Sequence, residues 1–326
     1  MIKKATIIIN TYKRMDFIIE AINSVINSNI DKELYEIIVT FAIYNNDLIN
    51  FLNKLSIQYI YNESKYNGER FMEAIKISKG ELIFFMDDDD KFSPNKISRV
   101  LDIYDKTHFD FYHNKFSTNE NELNSGSNDY KIINIKNNKV IKNIFKLNIK
   151  DKLNINTSSV VIKKYYILEF VKIAKEVTVG WDLFVYYLYL KKDFILIDDS
   201  KILTFYRHHF LNYNGYNINK SEKILELDKK RILDSINAYK ILVNIVDNYL
   251  KKYVKIEFMP FNILGNIYGL KEFNKVKNTD SIKFLLEGKT FSLKFRLFYF
   301  FLFFSFKFSS KLSRYILVYM KKYYSF

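Results

Sequence analysis

Four aspartates stand in succession, Asp87, Asp88, Asp89 and Asp90, directly behind the apolar run Leu82 to Met86. Neighbours in an extended chain lie about 3.5 Å apart along the backbone, and with their carboxylates farther apart than that each adjacent pair of like charges costs about 1–3 kcal/mol at an effective dielectric of about 20. A solvated acidic turn relieves that repulsion by exposure, and a divalent cation relieves it by bonding. The run follows a strand-like segment and is itself followed four residues later by Pro94, which places it at a sheet edge and favours the cation. Mg2+ and Mn2+ take hard oxygen ligands, commonly one or two carboxylates completed by substrate phosphates. In an extended geometry alternate side chains share a face, pairing Asp87 with Asp89 and Asp88 with Asp90.

The elements that must position this run alternate between strand and helix patterns, which implies a mostly parallel sheet with crossover helices. "ATIIIN" leads into a helix near residues 16–28, "YEIIVTF" into a weaker one near 46–54, and "IQYIYN" into one near 68–78. "ELIFFM" precedes the acidic run, with Pro94 expected in the first turn of the next helix. Ligands of open α/β sheets sit at the carboxyl ends of strands, where both the acidic run and "NTYKR" (10–14) fall. Residues 116–150 read as polar loop with one short element, 157–167 as a strand running into a helix, and 180–190 as a buried helix. Strands are expected at 194–197 and 202–206. From Leu225 to Leu250 apolar residues recur at spacings of three, four and seven, the pattern of one long helix with Ser221 as its N-cap. A domain boundary is expected near 215–220.

Composition narrows the function classes. The 326-residue chain is 48% hydrophobic and 17% aromatic with only eight glycines and two prolines, so most of it folds. It has no cysteine, which excludes disulfides, thiolate metal sites and cysteine nucleophiles. The apolar run Ala5 to Ile9 is too short for a signal-peptide core, so a cytoplasmic protein is expected. A formal net charge of +15 calls for a polyanionic partner.

The ordered set "IIINTYKR", "YNESKYNGERFMEAIKISKGE", "LIFFMDDDDKFSPNKI", "GWDLFVYYLYLKKDF" and "LTFYRHH" resembles the inverting glycosyltransferases of family 2, over about residues 4–210. The resemblance implies the GT-A fold, a Rossmann-like nucleotide-sugar-binding sheet with flanking helices, and a nucleotide-diphosphate sugar as donor. It implies that Thr11, Tyr12 and Arg14 lie beside the nucleotide, that Asp87 faces the ribose or base with Asp88 on the donor, and that Asp89 holds a Mn2+ or Mg2+ ion bridging the diphosphate with Asp90 in support. Asp182 matches the family's catalytic base, although Trp181 stands where an acidic neighbour is usual, and Trp181 becomes the candidate for acceptor stacking. Arg207, His208 and His209 fall where the family approaches the diphosphate; adjacent residues of a strand point to opposite faces, and His209 is the one assigned to the ion. Arg70 is a further phosphate candidate. Phe41 and Ala42 occupy the place of the acidic pair that reads the base, and Asp47 lies too far along to replace it, which leaves the donor base open.

Residues 291–326 hold seven lysines and arginines and no acidic residue. Their apolar run Leu297 to Phe306 would span only about 15 Å as a helix, against a hydrocarbon core of about 30 Å. On a helix Lys307, Lys311, Arg314 and Lys321 oppose Phe308, Leu312, Tyr315, Ile316 and Tyr319, the layout of a segment lying on an anionic membrane surface. The alternative is a helix packed on the protein's own core or on a second copy, a homo-oligomer through the C-terminal helices. The organisation expected is therefore a catalytic domain over 1–215, a helical region over 216–290 and the basic aromatic tail. The function expected is metal-dependent transfer of a sugar to a lipid-linked sugar or surface glycan at the inner face of the membrane. A non-catalytic sugar-binding protein, a nucleic-acid-binding protein and a nucleotidyltransferase are the other classes; the basic residues of the first domain are interspersed with Asp and Glu, which speaks against nucleic acid.

Overall fold

The computed structural model describes residues 3–12, 14–136, 153, 155–207, 221–268, 270, 277–287 and 293–308. Its first compact unit is built on a nine-stranded sheet. The elements run β1 (Ala5–Thr11), α1 (Ile18–Ile26), β2 (Tyr35–Phe41), α2 (Asn46–Lys54), β3 (Gln58–Tyr61), α3 (Asn67–Ile77), β4 (Leu82–Asp87), β5 (Lys91–Phe92) and α4 (Lys96–Thr107). They continue with β6 (Phe111–Ser117), β7 (Tyr130–Ile135), β8 (Val160–Lys163), the single turns α5 (Lys164–Ile167) and α6 (Val171–Ala174), α7 (Trp181–Tyr189) and β9 (Phe194–Phe205).

Sheet order is β3-β2-β1-β4-β8-β6-β9-β5, with β7 also paired to β9. The first four strands are mutually parallel; β8 then runs antiparallel between β4 and β6, and β6 is parallel to β9. All seven residues of β1 are buried, as a central strand covered on both faces requires. Its alternate residues feed two layers. Ile7 and Ile9 join Val39, Phe84 and Met86 against Ile22 and Val25 of α1 and Val100 of α4. Ile8, Ile38 and Phe85 face the other way and are equally buried, Phe85 meeting Phe71 of α3 and Trp181 of α7 edge to face.

Two glycines fix how closely the layers approach. A Cβ on Gly80 would stand 2.3 Å from the Ala5 carbonyl carbon, so the entry to β4 can lie against β1 only without a side chain. Gly68, in the first turn of α3, would place a Cβ 1.8 Å from the Ala174 carbonyl oxygen, and its amide donates to the Val177 carbonyl at 2.8 Å. That contact sets the α3 end that carries Arg70.

Several expectations change. Pro94 precedes Asn95, the N-cap of α4, and so stands before the helix instead of in its first turn. The two strands expected in 194–206 are one twelve-residue strand, because β6 and β7 pair along it and carry it through the polar Asp198–Asp199 step, with register shifts opposite Asn114 and Lys115. The polar stretch behind residue 116 contributes β7, while 137–152 lie outside the described residues.

The second unit carries α8 (Ser221–Ile245), α9 (Asn248–Glu257), α10 (Met259–Ile267), α11 (Asn278–Glu287) and α12 (Leu293–Phe308). The single helix expected through Leu250 breaks at Asp247, whose side chain accepts from the Leu250 amide at 2.9 Å and caps α9, so local capping overrides the continuous apolar period. The unit has its own core, in which Ile232 and Ile236 of α8 meet Ile263 and Ile267 of α10, Phe284 of α11, and Tyr299, Leu302 and Phe303 of α12. One stripe of the aromatic tail is therefore core, while Phe301 is 64% exposed. Among the described residues no helix is long and apolar enough to cross a membrane. Residues 309–326, which carry most of the expected basic face, and 208–220, which hold the expected domain boundary, lie outside the described residues.

Candidate active site

The carboxyl ends of β1 and β4 lie side by side, Asn10 opposite Asp87 in register. β4 ends at Asp87 and the chain turns at once, the Asp90 amide donating to the Asp87 carbonyl at 3.3 Å. That turn replaces the extended alternation expected of the run. Asp88 and Asp89, adjacent in sequence, consequently face one guanidinium: Arg14 Nη2 lies 2.8 Å from Asp88 Oδ1 and 2.7 Å from Asp89 Oδ2. Thr11 Oγ1 donates to Asp88 Oδ2 at 2.5 Å. The "NTYKR" segment thus closes over the acidic turn through two of its side chains.

Asp90 points inward. Its Oδ1 accepts the Arg207 amide at 3.1 Å, while its buried Oδ2 has no hydrogen-bond partner. Burial, with the charge of Asp89 added, pushes its carboxyl up to about 8, against the pull of the Ser158 hydroxyl, the Arg207 amide and the Asn156 side chain. Asp88 is pushed up to about 6, burial outweighing the opposing pull of Arg14. Asp87 is driven well above the carboxylate range by burial and by the charges of Asp90, Asp89, Asp88 and Asp182.

Asp182 sits in the first turn of α7 behind Gly180. Its two oxygens accept the Leu183 and Asn156 amides, both at 2.9 Å, and burial raises its carboxyl. The side chain therefore ties its own helix to the strand-edge segment 155–159 while each oxygen keeps a lone pair for a further donor. Trp181 is 2% exposed, stacked on Phe71 at 4.8 Å and on Phe184 at 5.5 Å. A sugar would have to displace core to reach this ring. Trp181→Ala is expected to cost about 3–5 kcal/mol in urea denaturation, the loss for a buried large aromatic; unchanged stability with lost acceptor affinity would return the ring to the acceptor.

Arg70 is fully buried. It donates through Nε to Asn10 Oδ1 at 2.8 Å and through its terminal nitrogens to the Ser64 carbonyl and Asn67, and its guanidinium lies 5.1 Å from the Tyr12 ring. Burial brings it down to about 10. Its bonds join α3 to the end of β1 beneath the turn. Arg207 braces the turn from outside, Nε on the Asp89 carbonyl at 2.9 Å and Nη2 on Glu20 at 2.8 Å, its charge 4.3 Å from the Phe17 ring. His209 lies outside the described residues.

The structure adds residues that sequence patterns passed over. Asn10 Oδ1 accepts both Arg70 and, at 2.9 Å, the Thr40 hydroxyl. Ser158 Oγ accepts the Asp87 amide at 2.9 Å. Lys96 is fully buried, bonded to the Ser158 carbonyl and, at 3.0 Å, to Thr204, and burial brings it well below the usual lysine range against the opposing charge of Asp90. Asn156 is buried at φ 80°, its backbone N–H on Asp182 and its side-chain amide beside Asp90. The signal for them is slight: polar residues bounding apolar strands, a pattern that most loops share.

For a divalent ion the donor chemistry fits: hard carboxylate oxygens, one of them buried and unpartnered. Among the described residues no three His, Cys, Asp or Glu side chains converge to hold an ion unaided, so phosphate oxygens would have to complete the coordination.

Residues 6–166 match the family model described as Glycosyl transferase family 2. Over 103 residues the chain is 33% identical to the poly(ribitol-phosphate) beta-glucosyltransferase of Bacillus spizizenii, covering 29% of this chain and 16% of that protein. The chain spans less than a fifth of the length of the curated relatives it matches. S. aureus TarS 1-349 is 15% identical with a TM-score of 0.52, covering 98% of this chain and 92% of that one. The mannosyltransferase PcManGT of Pyrobaculum calidifontis, in complex with GDP-Man and Mn2+, is 10% identical with a TM-score of 0.52, covering 97% and 85%. At these identities the likeness shows the fold, which is GT-A.

Proposed function

Since residues 6–166 of this chain belong to glycosyl transferase family 2, we propose that it is an inverting glycosyltransferase moving a sugar from a nucleotide-diphosphate donor to a hydroxyl acceptor. The observation that carries this reading is the acidic turn at the end of β4, held between Thr11, Arg14 and Arg207, with Asp182 near enough to raise Asp87 by its charge.

Asp182 is the proposed base. The acceptor hydroxyl oxygen attacks the anomeric carbon, the bond from that carbon to the diphosphate oxygen breaks, and Asp182 takes the hydroxyl proton. The two amides that hold the carboxylate fix its direction, and its burial makes it a stronger base than a solvated aspartate. Thr11, Tyr12, Arg14, Asp87 and Asp88 line the proposed donor side, with Arg70 fixing the end of β1 beneath them and Arg207 fixing the turn. Asp89 and Asp90, with His209 as a further candidate, would hold a Mn2+ or Mg2+ ion. When bound, that ion supplies charge neutralisation for the departing diphosphate.

The acceptor class is a lipid-linked sugar or surface glycan. A relative that acts on poly(ribitol-phosphate) and the net charge of +15 both support an anionic one. The basic residues of 291–326 would serve a peripheral position at the inner face of the membrane.

A screen of nucleotide sugars with and without Mn2+, scored by donor hydrolysis and thermal shift at pH 6 and pH 8, tests the reading. The folded-state values of Asp88 and Asp90 lie above those of an unfolded chain. Their protons therefore stabilise the fold fully below about pH 4, and that contribution is lost as pH rises through about 6 and about 8. An ion held by Asp90 must displace that residue's proton, so the Mn2+-induced rise in melting temperature should be larger at pH 8 than at pH 6. Equal shifts would remove Asp90 from ion binding, and no hydrolysis of any nucleotide sugar would remove the enzyme.

A further inference from the structure

A basic groove lies at the end of the sheet opposite the acidic turn. Lys3 and Lys4 precede β1, Lys79 precedes β4, and Lys163 and Lys164 end β8 and open α5; with Tyr165 they line a cavity of about 370 Å3. β1 is seven residues long, which at about 3.3 Å per residue sets the groove about 20 Å from the Thr11 end. It is separate from the proposed donor site.

Its charge is only partly answered. Lys4 pairs with Asp105 at 2.9 Å and Lys163 with Glu81, the one acidic residue of the lining, at 3.5 Å. Lys3, Lys79 and Lys164 form no salt bridge among the described residues, although Glu36, which accepts the Lys79 backbone amide, acts on Lys164 by its charge. Two of these ammonium groups are nevertheless held in place: Lys3 Nζ donates to the Lys32 carbonyl at 2.9 Å and Lys164 Nζ to the Ser78 carbonyl at 2.5 Å. A carbonyl takes one of the three N–H bonds and leaves the charge for something else. Tyr165, beside Lys163, is 56% exposed and gives the groove an aromatic wall.

We infer that this groove binds the phosphate groups of a linear polyanion, with Lys3, Lys79 and Lys164 as its cationic contacts. Its concavity favours a chain over a bilayer, because a flat surface touches ridges and cannot enter a cavity of this size. The aromatic wall suits the carbon backbone between phosphates. A chain bound here would be held at a second point on the molecule, about 20 Å from the acidic turn.

The test is binding alone, so it stands or falls apart from sugar transfer. The full chain is titrated calorimetrically with inorganic polyphosphate. Neutralising three phosphates gives a salt slope of about 0.7–0.9 per contact, so affinity should fall about 20–40-fold between about 50 and 200 mM NaCl. Lys3→Glu combined with Lys79→Glu should weaken binding about tenfold or more at low salt, and the milder Lys3→Gln with Lys79→Gln should give an intermediate loss. Reversal of Lys230 and Lys240, exposed on α8, should change it less than about twofold. Equal losses from the two reversed pairs would make the attraction a diffuse effect of net charge and overturn the site. So would failure to bind polyphosphate while phosphatidylglycerol vesicles are bound through Lys3 and Lys79, which would make the surface a membrane contact.

Discussion

Asp182→Asn is expected to lower kcat by about 10²–10⁴-fold with little change in donor affinity, the range for loss of a positioned general base. The amide keeps the shape of the carboxylate and one of its oxygens, so one of the two backbone amides now held, from Leu183 and Asn156, still has its acceptor. The turned NH2 group meets the other amide, a local cost in stability that a melting curve reads separately. What the variant lacks is the capacity to take a proton. Steady-state kinetics with the donor found in the screen give the split. Weakened donor binding at unchanged turnover would move Asp182 out of the acceptor side and into the donor site.

Asp89→Asn is expected to remove cation-dependent donor binding, an effect on the order of 10²-fold, because an amide oxygen is a weaker ligand for a hard cation than a carboxylate. The fold should survive: Arg14 keeps its contact to Asp88 at 2.8 Å, and Arg207 holds the Asp89 carbonyl, which the substitution leaves in place. Donor titrations with and without Mn2+ measure the effect. Turnover in Asp89→Asn that still responds to Mn2+ as in the unmodified chain would assign the ion elsewhere.

The two substitutions probe groups that differ in how they could be found. The acidic run is legible because repulsion between successive carboxylates demands an explanation and because an apolar strand leads into it. Asp182 carries no such mark; its candidacy came from resemblance, and by itself it reads as an ordinary residue in the first turn of a helix. Asn10, Ser158 and Lys96 were not legible at all. Ser158 meets the Asp87 amide across 71 positions of chain and Lys96 meets Thr204 across 108, and nothing local distinguishes either from the many serines and lysines that face water.

The strands and crossover helices of the first unit follow from local pattern, because a strand buried on both faces needs a continuous apolar run and an amphipathic helix needs one buried stripe. The same patterns misread β9 and α8. At β9 the pairing of two neighbours carried the strand through its polar middle, and at Asp247 one side-chain cap stopped a helix that the apolar period would continue. Local composition is therefore enough to tell which segments are apolar enough to bury and that four carboxylates follow one of them. It takes the packed sheet to make the run a turn, to bring Arg14 to Asp88 and Asp89 together, to bury Trp181 in the core, and to gather lysines from three separate segments into one groove. The reason is physical: burial is a property of each segment's own composition, whereas a contact between charged groups depends on the relative placement of segments, which the packing of the whole sheet fixes.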